Sequence, residues 1–213
     1  YDFIAPLTPI VEADPAFTLD NLKEECVRCC SDGDTLYVMP RDYNQVVMYY
    51  NVDMFDAAGV EYPSTDKAMT QEEFVGILRE LKEGLLASEE TNSYGVKYKE
   101  GFTNSMDASI LWDSLSWPII KSFGGEIFDA NGNYLDEDGK MLFDSEDTVA
   151  AMKFAHDLVA NKYMGSPSTW STKDGAQFLL ENSPVYLHCR AILSSLTTPT
   201  NAYHGIANLG VAP

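Results

Sequence analysis

The chain has 213 residues, with 14 lysines and arginines against 33 aspartates and glutamates and a formal net charge of −19. That balance opposes binding to phosphate backbones and to anionic lipid, so nucleic acid is set aside as a partner; no apolar run approaches the length of a membrane span or reads as a signal peptide. A chain of this length buries one sizeable core, or one core with an appendage.

Residues 1–10 read as loop with a short extended piece, and Pro15 precedes a helix expected over 18–30, with Leu22, Cys26, Cys29 and Cys30 at helical spacing. With Cys189 these cysteines do not make the framework of a small disulfide-stapled domain. A zinc ion on the three clustered thiols would need Cys189 or a distant histidine as its fourth ligand, so helix packing is the expectation, and neither metal nor cofactor is expected. Residues 36–39 form a short apolar run that Pro40 stops, because proline cannot donate to a sheet ladder. The polar tetrad Arg41, Asp42, Tyr43 and Asn44 separates it from a β-branched and aromatic strand over 46–50. Asn51 and its two successors cap a short helix over 54–58, and Gly59 is expected to close it in the left-handed conformation.

Thr70 and Glu73 form a capping box, Phe74, Ile77, Leu78 and Leu81 make one stripe, and Gly84 is expected to end that helix. Residues 94–98 are a strand candidate. The pattern over 110–122 is helical, with Pro118 either kinking one helix or opening a second. Over 124–143 apolar residues alternate around Asp-Ala-Asn-Gly-Asn and Asp-Glu-Asp-Gly, the composition of two turns in a β-ribbon. A calcium loop is excluded because Tyr134 stands where the sharp-turn glycine belongs and Lys140 where the bidentate glutamate belongs. Asp144 or Ser145 caps a helix to Asn161 with Val149, Met152, Ala155 and Val159 on one face and Phe154 and Leu158 beside it. A helix over 172–181 with Asn182 as its left-handed cap, a strand over 185–189, a short helix over 191–196 and a closing strand within 205–213 complete the chain. Strands alternating with helices, without an internal repeat or a low-complexity linker, imply a three-layer α/β domain.

The order of these pieces resembles the bacterial extracellular solute-binding proteins of ABC importers, in the maltose-binding-like family. The string LYVMPRDYNQVVMYYNVDMFDAAGVEYP at 36–63 carries the likeness, followed by the Trp117-Pro118 helix ending at Gly124-Gly125, the helix with Phe154 and Leu158, the 178–182 segment and the closing strand, over residues 32–213 in all. The resemblance implies the three-layer α/β/α lobe of a two-lobed periplasmic-binding-protein-like (type II) fold. Residues 1–39 would be a remnant of the first lobe with the first hinge strand, 40–205 the second lobe and 206–213 the return hinge strand. Because the chain opens on Tyr1 and stops just after a strand, a piece of a longer polypeptide is expected. The implied function is capture of a carbohydrate and its delivery to the transmembrane subunits of an ABC permease, with no chemical step. The implied location is extracellular, held at the cell membrane by a lipid anchor outside this piece, or periplasmic.

Carbohydrate sites need aromatic faces for the apolar side of a sugar ring and planar polar groups for its hydroxyls. Trp112, Asp113, Ser116 and Trp117 supply both kinds in one short stretch, with Trp117 expected in the core beside Pro118. The resemblance puts Asp42, Tyr43 and Asn44 at the first hinge crossing, where polar contacts to ligand lie; a solvated turn is the plainer reading. His188, Cys189 and Arg190 end a strand in which neighbours face opposite sides, so His188 and Cys189 cannot act as a base and nucleophile pair. Family members commonly carry glycine and then a stacking tryptophan here, whereas this chain has Cys189 and Ala191. Arg190 instead offers a planar positive fork suited to an acidic or decorated sugar. Trp170 is a substitute stacking face or a surface loop residue. His156 and His204 are expected to pack. The alternatives are a glycoside hydrolase with two carboxylates, for which no local motif selects a pair, and a binder of a peptide or polyamine on the same fold.

Overall fold

In the computed structural model, which describes residues 3–41, 43, 45–107, 117–129, 132–165 and 175–213, the helix expected over 18–30 is broken. Thr18 accepts the amide of Asp20 on its hydroxyl and starts a 3-10 turn, Leu19–Asn21, and Leu22 is then extended at φ −102° and ψ 154°. Short polar side chains that bond the local backbone compete with helix in this way. Among its described residues the first of two units, Tyr1–Gln45, therefore holds short pieces: α1 (Thr8–Ala13) with Pro9 in its first turn, α2 (Glu24–Cys29), and the antiparallel pair β1 (Ser31–Asp32) and β2 (Thr35–Leu36). The strand expected over 36–39 survives only at Leu36, whose amide donates to the Thr8 hydroxyl at 2.8 Å.

The second unit, Val46–Pro213, begins with β3 (Val46–Asn51). As expected, the Asn51 side chain accepts the Met54 amide and starts α3 (Val52–Ala58), and Gly59, at φ 68°, ends it. The capping box forms too: Glu73 N donates to Thr70 Oγ1 and Thr70 N to Glu73 Oε2. Helix α4 (Gln71–Ala87) nevertheless runs through Gly84. This glycine is a contact and not a stop, since a Cβ there would lie 2.3 Å from the Ala58 carbonyl oxygen. It lets α3 and α4 close to backbone contact.

Residues 94–98 are not a strand: Thr91 and Lys97 form an isolated bridge and the chain enters the one-turn α5 (Tyr98–Gly101). After β4 (Met106–Asp107), residues 108–116, which hold most of the helical pattern expected over 110–122, lie outside the described set, and α6 is described over Trp117–Ser122 with Pro118 as its second residue. Over 132–143 the Asp136 side chain accepts the amides of Asp138 and Lys140, and Leu135 bridges to Met141, so the ribbon is turns with one bridge and its carboxylates bond their own loop. Ser145 caps α7 (Glu146–Ala160). Its buried face is Thr148, Ala151 and Leu158, while Val149 is 65% exposed, so the core stripe is rotated one position from the expected one.

Of the helix expected over 172–181, α8 (Ala176–Leu179) is present, and residues 172–174 lie outside the described set. The left-handed cap is Glu181, at φ 56°, and not Asn182. Asn182 N reaches back to the Gln177 carbonyl, and the Glu181 carboxylate accepts both the amide and the hydroxyl of Ser93. That anchorage compensates for a conformation costly to a residue with a Cβ. β5 (Val185–Cys189), a 3-10 turn (Arg190–Ile192), α9 (Leu193–Thr197) and β6 (Leu209–Ala212) follow as expected.

Among the described residues the unit has one four-stranded sheet, ordered β4-β5-β3-β6, with β3 antiparallel to β5 and β6 and β4 parallel to β5. Strand alternation divides it into two cores. Met48, Tyr50, Met106, Val185 and Ala212 face α3, α4, α6 and α7, while Tyr49 and Tyr186 face Phe178 and Leu179 of α8 and Leu196 of α9. The lobe is thus the expected three-layer α/β/α arrangement. Each large apolar side chain so buried contributes about 1.5–3 kcal/mol. No described helix is long and apolar enough to cross a membrane.

Two substitutions test this packing by urea denaturation. Gly84→Ala should destabilise by about 1–3 kcal/mol because it overpacks the α3–α4 contact, whereas Gly76→Ala on the same helix, where an added Cβ meets nothing within 4 Å, should be neutral or stabilising by about 0.5–1 kcal/mol. The buried Asp107 carboxylate accepts the amides of Gln177 and Phe178 at 2.9 and 3.1 Å. Asp107→Ala should therefore cost about 1–3 kcal/mol by leaving those donors without their acceptor.

Candidate functional site

Because β4, β5 and β6 run in one direction and β3 in the other, the carboxyl ends of three strands and the start of the fourth share one edge. In open α/β sheets, ligands lie outside the carboxyl ends of the strands. This edge of the second unit carries Val46, Asp107, Cys189 with Arg190, and Ala212 with Pro213.

Three of the expected site residues fall among the described ones. His188 sits on the Tyr49–Tyr186 face of the sheet, paired across from Val47. Its ring is buried, with its centroid 5.3 Å from that of Tyr186 and Nδ1 3.4 Å from the Cys189 carbonyl oxygen. Arg190, the next residue but one, is exposed at the strand end and has no ion-pair partner among the described residues. Beneath it the Tyr49 hydroxyl donates to the Cys189 carbonyl at 3.4 Å. Burial raises the Tyr49 phenol's pKa and Cys189 adds to the rise, while the positive charge of Arg190 opposes it. Tyr43 belongs to the first unit, where it is exposed and Lys23 Nζ lies 4.7 Å from its ring centroid. Asp42, Asn44, Trp112, Asp113, Ser116 and Trp170 lie outside the described residues, Asp107 being the last described position before 108–116.

On the other face of the sheet, at the same edge, is a cavity of about 230 Å³ that the sequence reading did not foresee. Its walls are apolar: Val46 and Met48 of β3, Leu187 of β5, Met69, Phe74, Phe154, Pro118 and Ile119, with Pro213 at the rim. Thr70, Gln71 and Ser122 supply polar groups, and the Gln71 side-chain amide donates to the Ser122 carbonyl across it at 3.1 Å. An apolar floor with a few polar groups at the rim suits a ligand with one apolar and one hydrogen-bonding side. Its residues come from separate elements, and only the capping box and the stripe of α4 hinted at their neighbourhood.

A second constellation lies at the opposite edge, before β5. Ser93 Oγ donates to Glu181 Oε1 and lies 3.2 Å from His204 Nδ1, and the His204 ring stacks on Tyr94 at 4.1 Å between centroids and 14° between planes. In a hydrolytic triad the histidine stands between hydroxyl and carboxylate. Here the serine stands between them, and together with Tyr94, which accepts the His204 amide, the group ties the 92–94 loop to the approach to β6.

The profile described as bacterial extracellular solute-binding protein matches residues 2–195. No curated protein sequence matches the chain. Among solved structures, the ABC substrate-binding protein Lmo0181 of Listeria monocytogenes in complex with cycloalternan is 20% identical, with a TM-score of 0.68 over 98% of this chain and 46% of that one. Maltose-bound MalE3 of T. maritima is 19% identical, with a TM-score of 0.66 over 99% and 47%. UgpB of Mycobacterium tuberculosis, in complex with glycerophosphocholine, is 15% identical, with a TM-score of 0.68 over 99% and 47%. At these identities the likeness establishes the fold, and the chain spans about half the length of each of these proteins. The profile match across most of the chain means that it belongs to the bacterial extracellular solute-binding protein family.

Proposed function

We propose that the chain is part of the ligand-capturing component of an ABC importer, taking a carbohydrate outside the cytoplasmic membrane and passing it unaltered to the transmembrane subunits of the permease. The observation that carries this reading is the family match over residues 2–195, joined to a shared fold with proteins bound to cycloalternan and to maltose. Residues 40–205 would form the second lobe, with hinges at 39–41 and in the strand 206–213. Tyr43, Trp112 and Trp170 would stack on sugar faces. Asp42, Asn44, Asp113 and Ser116 would bond hydroxyls, and His188 with Arg190 would close the wall at the end of β5. Since the matched structures are about twice as long, roughly half of the ligand contacts are assigned to residues outside this sequence, and the isolated chain should bind weakly. A lipid anchor or a periplasm would keep the protein beside its permease.

Thermal-shift measurements on the full-length protein with a panel of oligosaccharides test the reading. A true ligand at 100 times its Kd should stabilise by about 2.7 kcal/mol, with no release of aryl alcohol from aryl glycosides. The absence of any shift across the panel would overturn carbohydrate capture, and turnover of the glycosides would make the protein an enzyme.

A further inference from the structure

The distribution of charge along the last stretch of the chain differs from that of the rest of the sequence. The chain carries 33 acidic residues, yet none follows Glu181, so β5, the 3-10 turn, α9 and β6 contain no carboxylate side chain. Elsewhere in the unit five lysines are matched by carboxylates, Lys97 and Lys99 by Glu89, Lys121 by Glu126, Lys140 by Asp144 and Lys153 by Asp157, whereas Lys82 donates to the Asn161 carbonyl. Arg190 is exposed and has no such partner among the described residues. Its backbone is nonetheless held, because Cys189 pairs with Val46 in the sheet and its carbonyl accepts the Tyr49 hydroxyl. An arginine on a fixed stem loses little freedom when it engages an anion, and its planar fork matches the paired oxygens of a carboxylate, sulfate or phosphate.

We infer that the solute bears an oxyanion group and that Arg190 receives it at the end of β5. This inference rests on the proposed capture of a carbohydrate by the same edge, and it narrows the ligand class to uronate-containing, sulfated or phosphorylated saccharides. A neutral sugar would leave the guanidinium without an anion in a protein of net charge −19, since no carboxylate side chain follows Glu181 and that of Asp107, on the same edge, is buried and accepts the Gln177 and Phe178 amides. The general negative field also explains why a local cation is needed, since an anionic ligand is otherwise repelled.

The experiment is a calorimetric titration of the full-length protein with three matched pairs: an oligogalacturonate and its neutral galactose counterpart, a sulfated and an unsulfated oligosaccharide, and a sugar phosphate and its parent sugar. The wild-type protein should prefer the charged member of at least one pair, and the pair that responds identifies which oxyanion is read. Arg190→Gln should weaken the charged ligand by about 10- to 100-fold and the neutral one by far less, so that the preference within the pair is lost, with Arg190→Lys intermediate because it keeps the charge without the fork. Equal affinity within every pair overturns the oxyanion inference and leaves carbohydrate capture standing. A charged preference that survives Arg190→Gln also overturns it. If no saccharide of either kind binds, capture of a sugar fails, and the inference fails with it. Should Arg190→Gln not fold, Arg190→Lys together with the salt dependence of wild-type binding decides, since a charge-read ligand must lose affinity as salt rises and a neutral one must not.

Discussion

The second unit depends on the alternation of side chains along β3. Met48 and Tyr50 enter one apolar layer and Val47 and Tyr49 the other, and the same strand pairs with β5 on one side and β6 on the other. A shift of register by one residue would exchange both sets at once, so the two cores fix the pairing jointly. That pairing places Val46 beside Cys189 and Met48 beside Ala212. Gly210 belongs to the same constraint: it lies across from Tyr50, whose ring covers it so closely that an added Cβ would sit 2.0 Å away.

Everything at the carboxyl edge inherits its position from that register. Arg190 projects from the turn after β5, the Tyr49 hydroxyl underpins the carbonyl before it, and the cavity on the opposite face is walled by β3 and β5 side chains of the other parity. The edge thus presents one charged and one apolar surface, separated by the thickness of a sheet.

Much of this was legible in the sequence, and the failures have local causes. Elements with a chemical signal at their ends were read correctly: Asn51 and Gly59 around α3, Thr70 with Glu73 on α4, Ser145 on α7 and the β-branched run of β3. Where tertiary contact overrode local preference, the reading went astray. Gly84 looks like a stop and is a contact with Ala58, and Asn182 looks like the natural left-handed residue, but Glu181 takes that conformation because Ser93 holds its carboxylate. Along α7 the face was displaced by one position because Thr148 counted as polar, yet it is buried with its hydroxyl against that of Ser145. The likeness to a family supplied the fold and the candidate residues of the edge. The apolar cavity was invisible because no single segment contains it.

The order of the sheet has a further consequence. The first strand of the second unit, β3, and its last, β6, are direct neighbours with Met48 paired to Ala212, so the start of the one and the end of the other lie roughly one inter-strand spacing, about 5 Å, from each other. A body whose two tethers emerge side by side has the topology of an insert. Such ends can be joined to a surface loop of an unrelated host without stretching either partner, which makes the second unit a natural cassette for grafting onto a reporter.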